Sequence, residues 1–261
     1  MTLHLGIMGW GTIGEGVGRR IADGAIADVA LTAILRQRKT DDGINMPAPI
    51  CRDLAAFLAA KPDLVLEAAG GDALRALGPQ IVENGVSLVV MSAAALGDDD
   101  FRHDLTERAR KSGARIFVSA GALAGVDALA ASRFGAIDEI RIVQRKPPAA
   151  LLGPDEAAAL EAPRVINAAS AREIGKQFPK NANIAVSAAL AADALDRTVV
   201  EVVADPSARL NMAEIHAKGA FGELTVNISN APSENKRTSM MAIYAALSTI
   251  ARQSDTLSFG A

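Results

Sequence analysis

The chain has 261 residues, half of them hydrophobic, enough for one large domain or two modest ones around a sizeable core. Its 27 lysines and arginines stand against 30 aspartates and glutamates, a formal net charge of -3, so nothing in the balance points to nucleic acid and the expected partner is a small molecule. A single cysteine, Cys51, excludes an internal disulfide, no Cys/His spacing suits a metal, and neither a signal-peptide pattern nor an apolar run of ~18 residues occurs, so a cytoplasmic protein is expected.

The first element is an apolar run at 5–8 that leads into Gly9-Trp10-Gly11-Thr12-Ile13-Gly14 and then into a helix-compatible segment at 15–21. Strand, glycine turn and helix in that order fit the binding of a dinucleotide. Gly9 allows the tight turn, Gly11 lets the main chain approach a pyrophosphate, and Gly14 lets the helix pack close to the strand. The phosphate would sit at the positive end of the helix, on the N–H groups around Thr12 and Ile13. A second strand at 29–35 ends in Arg36-Gln37-Arg38-Lys39. An acid usually ends this strand where NAD is selected, and arginine suits the 2′-phosphate of NADP. Arg36 and Arg38 are therefore either a solvated basic turn or a lean towards NADP.

A loop at 41–49, a short helix at 53–60 and a strand at 64–69 follow, with Gly70-Gly71 at the strand's end and a helix at 72–84. The continuous apolar run 87–91 reads as a buried strand and ends in the small-residue loop 92–97. Strands alternating with helices at this spacing imply a doubly wound parallel sheet, with ligands at the carboxyl ends of the strands. Gly70, Ser92 and Ala93 are thus either candidate edges of a nicotinamide pocket or plain turns. A helix at 99–112 and a strand at 115–118 lead to Ser119-Ala120-Gly121-Ala122-Leu123-Ala124-Gly125, where a domain boundary is placed.

Beyond it the pattern changes to an alternating strand at 137–145, stopped by Lys146-Pro147-Pro148, and a polar, alanine-rich excursion at 153–162. A strand at 165–169 precedes Ser170-Ala171-Arg172-Glu173, a helix start with an acid in its capping box. Asn181-Ala182-Asn183 opens a small-residue helix reaching Asp196, and 199–204, 211–218 and 223–230 read as three strands of an open sheet. A last helix spans 239–252.

Seven of these stretches, in this order, resemble the L-aspartate dehydrogenase family: residues 6–14, Gly121-Ala122-Leu123-Ala124-Gly125, Lys146-Pro147-Pro148, Phe178-Pro179-Lys180-Asn181-Ala182-Asn183, Ala204-Asp205-Pro206, Gly219-Ala220-Phe221-Gly222, and residues 232–239. The resemblance implies a Rossmann domain at 1–120, a substrate and oligomerisation α/β domain on an open mixed sheet at 121–238, and a C-terminal helix at 239–261 that packs back on the first domain. It further implies NAD(P)-dependent oxidation of L-aspartate to iminosuccinate, feeding pyridine nucleotide biosynthesis or aspartate breakdown. Ala122 and Asn183 fall on cofactor-contacting positions and Asn181, Asn211 and Thr238 near the substrate, with Asn181 or Asn183 alternatively a helix cap and Thr238 alternatively the cap of the last helix. An open sheet whose outer face needs cover makes a homodimer the expected assembly. Homoserine-dehydrogenase-like and sugar-dehydrogenase-like enzymes share the first domain but not the matches from Phe178 onward.

The main departure lies in Asn211-Met212-Ala213-Glu214-Ile215-His216. The family pattern there resembles Asn-x-His-Glu-Ile, and its histidine is assigned to catalysis; here Ala213 takes its place. His216 is expected on the opposite face of the strand, since side chains alternate. Neither His4 nor His103 is a plausible substitute. Two histories fit: a single engineered replacement in an otherwise active enzyme, favoured because one change restores the family text, or a natural paralogue. Such a paralogue would act on another amino or keto acid, or bind NAD(P) without turnover as a sensor. A smaller departure, Lys236-Arg237 in place of Pro-Lys, keeps the charge and loses the fixed φ of proline.

Overall fold

The computed structural model describes residues 2–37, 45–179, 182–233 and 238–258. The chain divides into two compact units, Met1–Gly121 with Ala242–Ala261, and Ala122–Met241.

In the first unit β1 (Leu3–Met8), β2 (Val29–Leu35), β3 (Ile50–Cys51), β4 (Leu64–Glu67), β5 (Ser87–Val90) and β6 (Ile116–Val118) form one parallel sheet in the order β3-β2-β1-β4-β5-β6. All four residues of β4 and the apolar run of β5 are buried, as central strands covered on both faces require. The intervening helices are α1 (Thr12–Ala22), α2 (Leu54–Ala59), α3 (Gly71–Glu83) and α4 (Asp99–Ser112). Their ends follow local chemistry. Asp53 caps α2 by accepting from Ala56 N at 2.8 Å, Asp98 caps α4 by accepting from Phe101 N at 3.2 Å, and Gly113 ends α4 in the left-handed region. The strand order reverses between β1 and β4, and the crevice outside their carboxyl ends is where open α/β sheets take ligands.

The second unit holds α5 (Val126–Ser132), β7 (Ile137–Lys146), α6 (Pro154–Ala158), β8 (Arg164–Ser170), α7 (Ala171–Gln177), α8 (Asn183–Ala191), β9 (Val199–Ala204), β10 (Asn211–Gly219) and β11 (Gly222–Asn230). Its mixed sheet runs β11-β10-β7-β9-β8, with β7 and β9 parallel and every other pair antiparallel. One face is apolar: Ile140, Ile142, Val200, Val202, Ile215 and Ala217 are buried on it. The other carries ion pairs, Arg141 with Glu201 at 2.8 Å and Arg145 with Glu214 at 2.9 Å. The last helix, α9 (Met240–Ala251), joins the first unit from Ala242 onward, where Ile243 packs against Gly16 of α1.

Six sequence expectations change. The first helix begins at Thr12, because the glycine turn is shorter than the text suggests. Residues 93–97 are a buried 3-10 turn, not an open loop. The two-residue strand β3 and helix α5 are added, and α6 sits inside the polar excursion, each too short to show a period. The helix from Asn183 stops at Ala191, since Asp193 takes a φ of 51° that no helix continues.

Candidate active site

In the first unit the main chain leaves β1 at Gly9, whose φ of 97° suits glycine and whose N–H donates to Leu35 O at 3.0 Å. A Cβ on Gly14 would lie 2.1 Å from Gly9 O, so the helix can approach the turn only without one. Around Gly11, in contrast, a Cβ would meet nothing within 4 Å. Gly11 is also the residue before α1 and offers no side chain to cap it. Trp10, the only tryptophan, lies in this turn with its ring against Gly18 and its Nε1 buried without a partner among the described residues.

A cavity of about 310 Å³ opens here, walled by Gly9, Trp10, Gly11, Leu35, Arg36 and Ala69 among others. None of its described wall residues is acidic. Arg36 donates its N–H to Cys51 O at 3.0 Å and accepts at its own carbonyl from Arg52 Nη1 at 3.0 Å. These features fit a dinucleotide: a tight glycine turn, a helix start without a side-chain cap, open space over Gly11 and Arg36 in the wall. Arg38 lies outside the described residues.

Glu67 lies at the carboxyl end of β4 and looks in the sequence like one more strand residue. It is fully buried. Its Oε1 accepts from Ala69 N and Gly70 N at 2.9 Å and from Ser92 Oγ at 3.0 Å, and its Oε2 accepts from Ser92 N at 2.9 Å. One carboxylate thus ties together the turns carrying Gly70, Ser92 and Ala93. Burial pushes its carboxyl above the usual range, while the bonds from Ser92, Gly70 and Ala69 pull it back.

In the second unit the register collects polar groups at one end of the apolar face. Ala213, 1% exposed, lies opposite Gln144 on β7 and Ile228 on β11, and Gln144 lies opposite Val202 on β9. Residues directly opposite share a face, and so do residues two apart. Gln144, Lys146, Asn211 and Asn230 therefore project from the same face as Ala213. Lys146 is half-buried, and burial holds its ammonium below the ordinary lysine range. Asn230 donates from Nδ2 to Ala122 O at 3.1 Å, and its Oδ1 is buried without a partner among the described residues.

Asn183 opens α8 but Ala182 is the cap residue, so the capping alternative for Asn183 is set aside. Asn181, like Lys236 and Arg237, lies outside the described residues. Thr238 is half-buried and its carbonyl accepts from Ser233 N at 2.7 Å. His216 stands on the other face, its ring 3.9 Å from Glu214 and within reach of Thr225. Sequence reasoning missed Gln144, Lys146 and Asn230 as a group. The signal was available in β7, whose inward positions 140, 142, 144 and 146 run apolar, apolar, polar, charged.

The doubly wound sheet and its glycine turn define an oxidoreductase that uses NAD or NADP. Residues 9–119 match the family model described as homoserine dehydrogenase, NAD binding domain, and residues 127–253 match that of aspartate dehydrogenase, C-terminal. An L-aspartate dehydrogenase of Methanosarcina mazei is 33% identical over 261 residues, covering 95% of this chain and 96% of that one. L-aspartate dehydrogenase 2 of Bordetella pertussis is 36% identical over 265 residues, covering 97% of each. The crystal structure of aspartate dehydrogenase from Thermotoga maritima superposes with a TM-score of 0.80 at 25% identity over 100% of both chains. A dihydrodipicolinate reductase of Paenisporosarcina shares the fold, with a TM-score of 0.58 at 13% identity over 97% of this chain and 94% of that one. The chain belongs to the L-aspartate dehydrogenase family.

Proposed function

We propose that the chain oxidises L-aspartate to iminosuccinate with NAD or NADP, at a turnover below that of an enzyme carrying an imidazole at position 213. The observation that carries this reading is the polar cluster of Gln144, Lys146, Asn211 and Asn230 on the same sheet face as the buried Ala213. When bound, the nicotinamide supplies the hydride chemistry of the reaction. Everything else falls on the chain. Gly9, Gly11, Thr12, Ile13 and Gly14 would hold the pyrophosphate, Arg36 and Arg38 a 2′-phosphate, and Gly70, Ser92 and Ala93 the edge of the nicotinamide. Ala122 and Asn183 would meet the carboxamide, which an asparagine can serve as donor and acceptor at once. Asn181, Asn211 and Thr238 would orient the substrate carboxylates.

Oxidation requires a neutral amine, so a group that takes a proton from the substrate ammonium is needed, and histidine suits this near neutral pH. Alanine removes that group without adding bulk. A second copy covering the outer sheet face would give a homodimer, a reading supported by Val165 and Val199, 52% and 47% exposed there. Iminosuccinate from this reaction suits pyridine nucleotide biosynthesis in a cytoplasmic setting.

The test is the steady-state rate of L-aspartate oxidation with each dinucleotide, for the chain and for Ala213→His. A rise of about 10² or more is expected. No rise, with dinucleotide still quenching Trp10 fluorescence, would overturn the reading and favour a sensor.

A further inference from the structure

Among the described residues three buried side-chain polar atoms have no hydrogen-bond partner: Trp10 Nε1 in the glycine turn, and Asn230 Oδ1 and Ser239 Oγ in the second unit. Folded proteins pair nearly all such atoms because an unpaired one is costly, so two at one place point to a group that arrives from outside the chain. Asn230 is 3% exposed and Ser239 7%. The backbone brings them together. Ser233 N donates to Thr238 O at 2.7 Å and Met240 N to Ala231 O at 2.9 Å, which sets Pro232 directly opposite Ser239 in a non-hydrogen-bonded antiparallel pair, the kind whose side chains lie closest. Asn230, two residues before Pro232, is the diagonal neighbour of Ser239, a separation of about 7 Å.

The chemistry of the two atoms is complementary. Asn230 Nδ2 is spent on the Ala122 carbonyl, which fixes the orientation of the amide and leaves Oδ1, an acceptor only, to meet an incoming donor. Ser239 Oγ has a proton to donate and so suits an incoming anion. A donor and an anion side by side are the ammonium and carboxylate of an α-amino acid, one head group that bridges two side chains on a diagonal. The place agrees. Asn230 lies opposite Asn211 and diagonal to Ala213, so an ammonium at Oδ1 stands beside the position where the family resemblance places its histidine. The charged side chains that the strands put on this face are Lys146 and Arg164, both level with Ala204, and Arg164 is paired with Glu156 at 2.5 Å. They stand two and four strands from β11, so the Asn230 end of the face is the end furthest from them.

Building on the proposed function, we infer that Asn230 and Ser239 hold the head group of the substrate: Asn230 Oδ1 accepts from the α-ammonium of L-aspartate, and Ser239 Oγ donates to its α-carboxylate. The pair selects amino acids, since a dicarboxylate without nitrogen leaves the Asn230 acceptor unpaired.

Calorimetric titration of the dinucleotide-loaded chain with L-aspartate and with succinate, which lacks only the amine, tests the assignment. Ser239→Ala removes a hydroxyl that has no partner in the protein, so its melting temperature should match or exceed the parent's. Its Kd for both ligands should rise, by about tenfold to a hundredfold, the worth of one hydrogen bond to a charged group. Asn230→Ala should raise Kd for L-aspartate by a similar factor and leave that for succinate unchanged. A general loosening of the loop moves both ligands together, so the contrast within one variant separates recognition from support. Ser239→Ala decides the matter alone if Asn230→Ala does not fold.

A Ser239→Ala variant with the parent's Kd values would overturn the assignment. So would one that melts below the parent, because the hydroxyl would then serve the fold, and so would an equal loss of both ligands in Asn230→Ala. The aspartate reading survives each of these. If neither the chain nor Ala213→His binds or oxidises L-aspartate, that reading falls and the assignment with it.

Discussion

Asn230 and Ala122, 108 residues apart in the chain, are joined by one buried hydrogen bond from the Asn230 Nδ2 to the Ala122 carbonyl at 3.1 Å. The bond fixes the loop that opens the second unit to the last residue of β11. Replacing Asn230 by alanine leaves a buried carbonyl without its donor, which costs about 1–3 kcal/mol. Urea denaturation should show the loss. Asn230→Asp should be worse, because an acceptor then faces the carbonyl. A midpoint equal to the parent's would refute the structural role of this bond.

Two glycines of the same turn should respond differently to alanine. At Gly14 the new Cβ would sit 2.1 Å from Gly9 O, so the backbone must shift. Gly14→Ala should lower the melting temperature as well as dinucleotide affinity. At Gly11 the space is open, so Gly11→Ala should melt with the parent and lose affinity alone, by intruding where the pyrophosphate approaches. Thermal melts with Trp10 fluorescence titrations separate the two, and a destabilised Gly11→Ala would contradict the geometry.

Glu67 gives a prediction with a sign. Burial raises its carboxyl above the unfolded value, so the folded chain holds that proton more tightly. Its contribution to stability is fully present below the ordinary carboxylate range of about pH 4 and is lost as pH rises through the raised folded value. Glu67→Gln cannot titrate and should flatten that part of the stability profile. Its amide N–H2 would also face the Ser92 N–H, so the Ser92 turn should loosen and dinucleotide affinity should fall. Denaturation midpoints across a pH series check the first effect, and a profile identical to the parent's would rule it out.

Arg36 stands where an acid would hold the ribose hydroxyls of NAD. Arg36→Asp should reduce kcat/KM for NADP by roughly tenfold to a hundredfold, the worth of one charge-assisted hydrogen bond, and spare or improve NAD. Equal effects on the two dinucleotides would show that Arg36 does not read the 2′-phosphate.

Much of the fold was legible because its signals are local. The run 5–8 before its glycines, the helix at 99–112, and the reciprocal Ser170 and Glu173 capping box each involve residues close together in the chain, and the structure places them where the text does. So was the direction of His216, which follows from alternation along a regular strand. The helix from Asn183 was overextended because its alanines favour a helix, while its end is set by the backbone turn at Asp193.

By itself, the sequence determined a dinucleotide turn at the start of a doubly wound sheet, a second α/β region, and an alanine where its family resemblance places a histidine. Only the tertiary structure decided what surrounds that alanine. Gln144 and Lys146 come from a strand some 70 positions earlier and Asn230 from the next strand, brought level with Ala213 by the register of β7, β10 and β11. Glu67 likewise reads as one more strand residue until the pairing of β4 with β5 sets Ser92 beside it. Register is a property of pairs of strands, settled by which faces must be buried together, and no single stretch of the chain contains it.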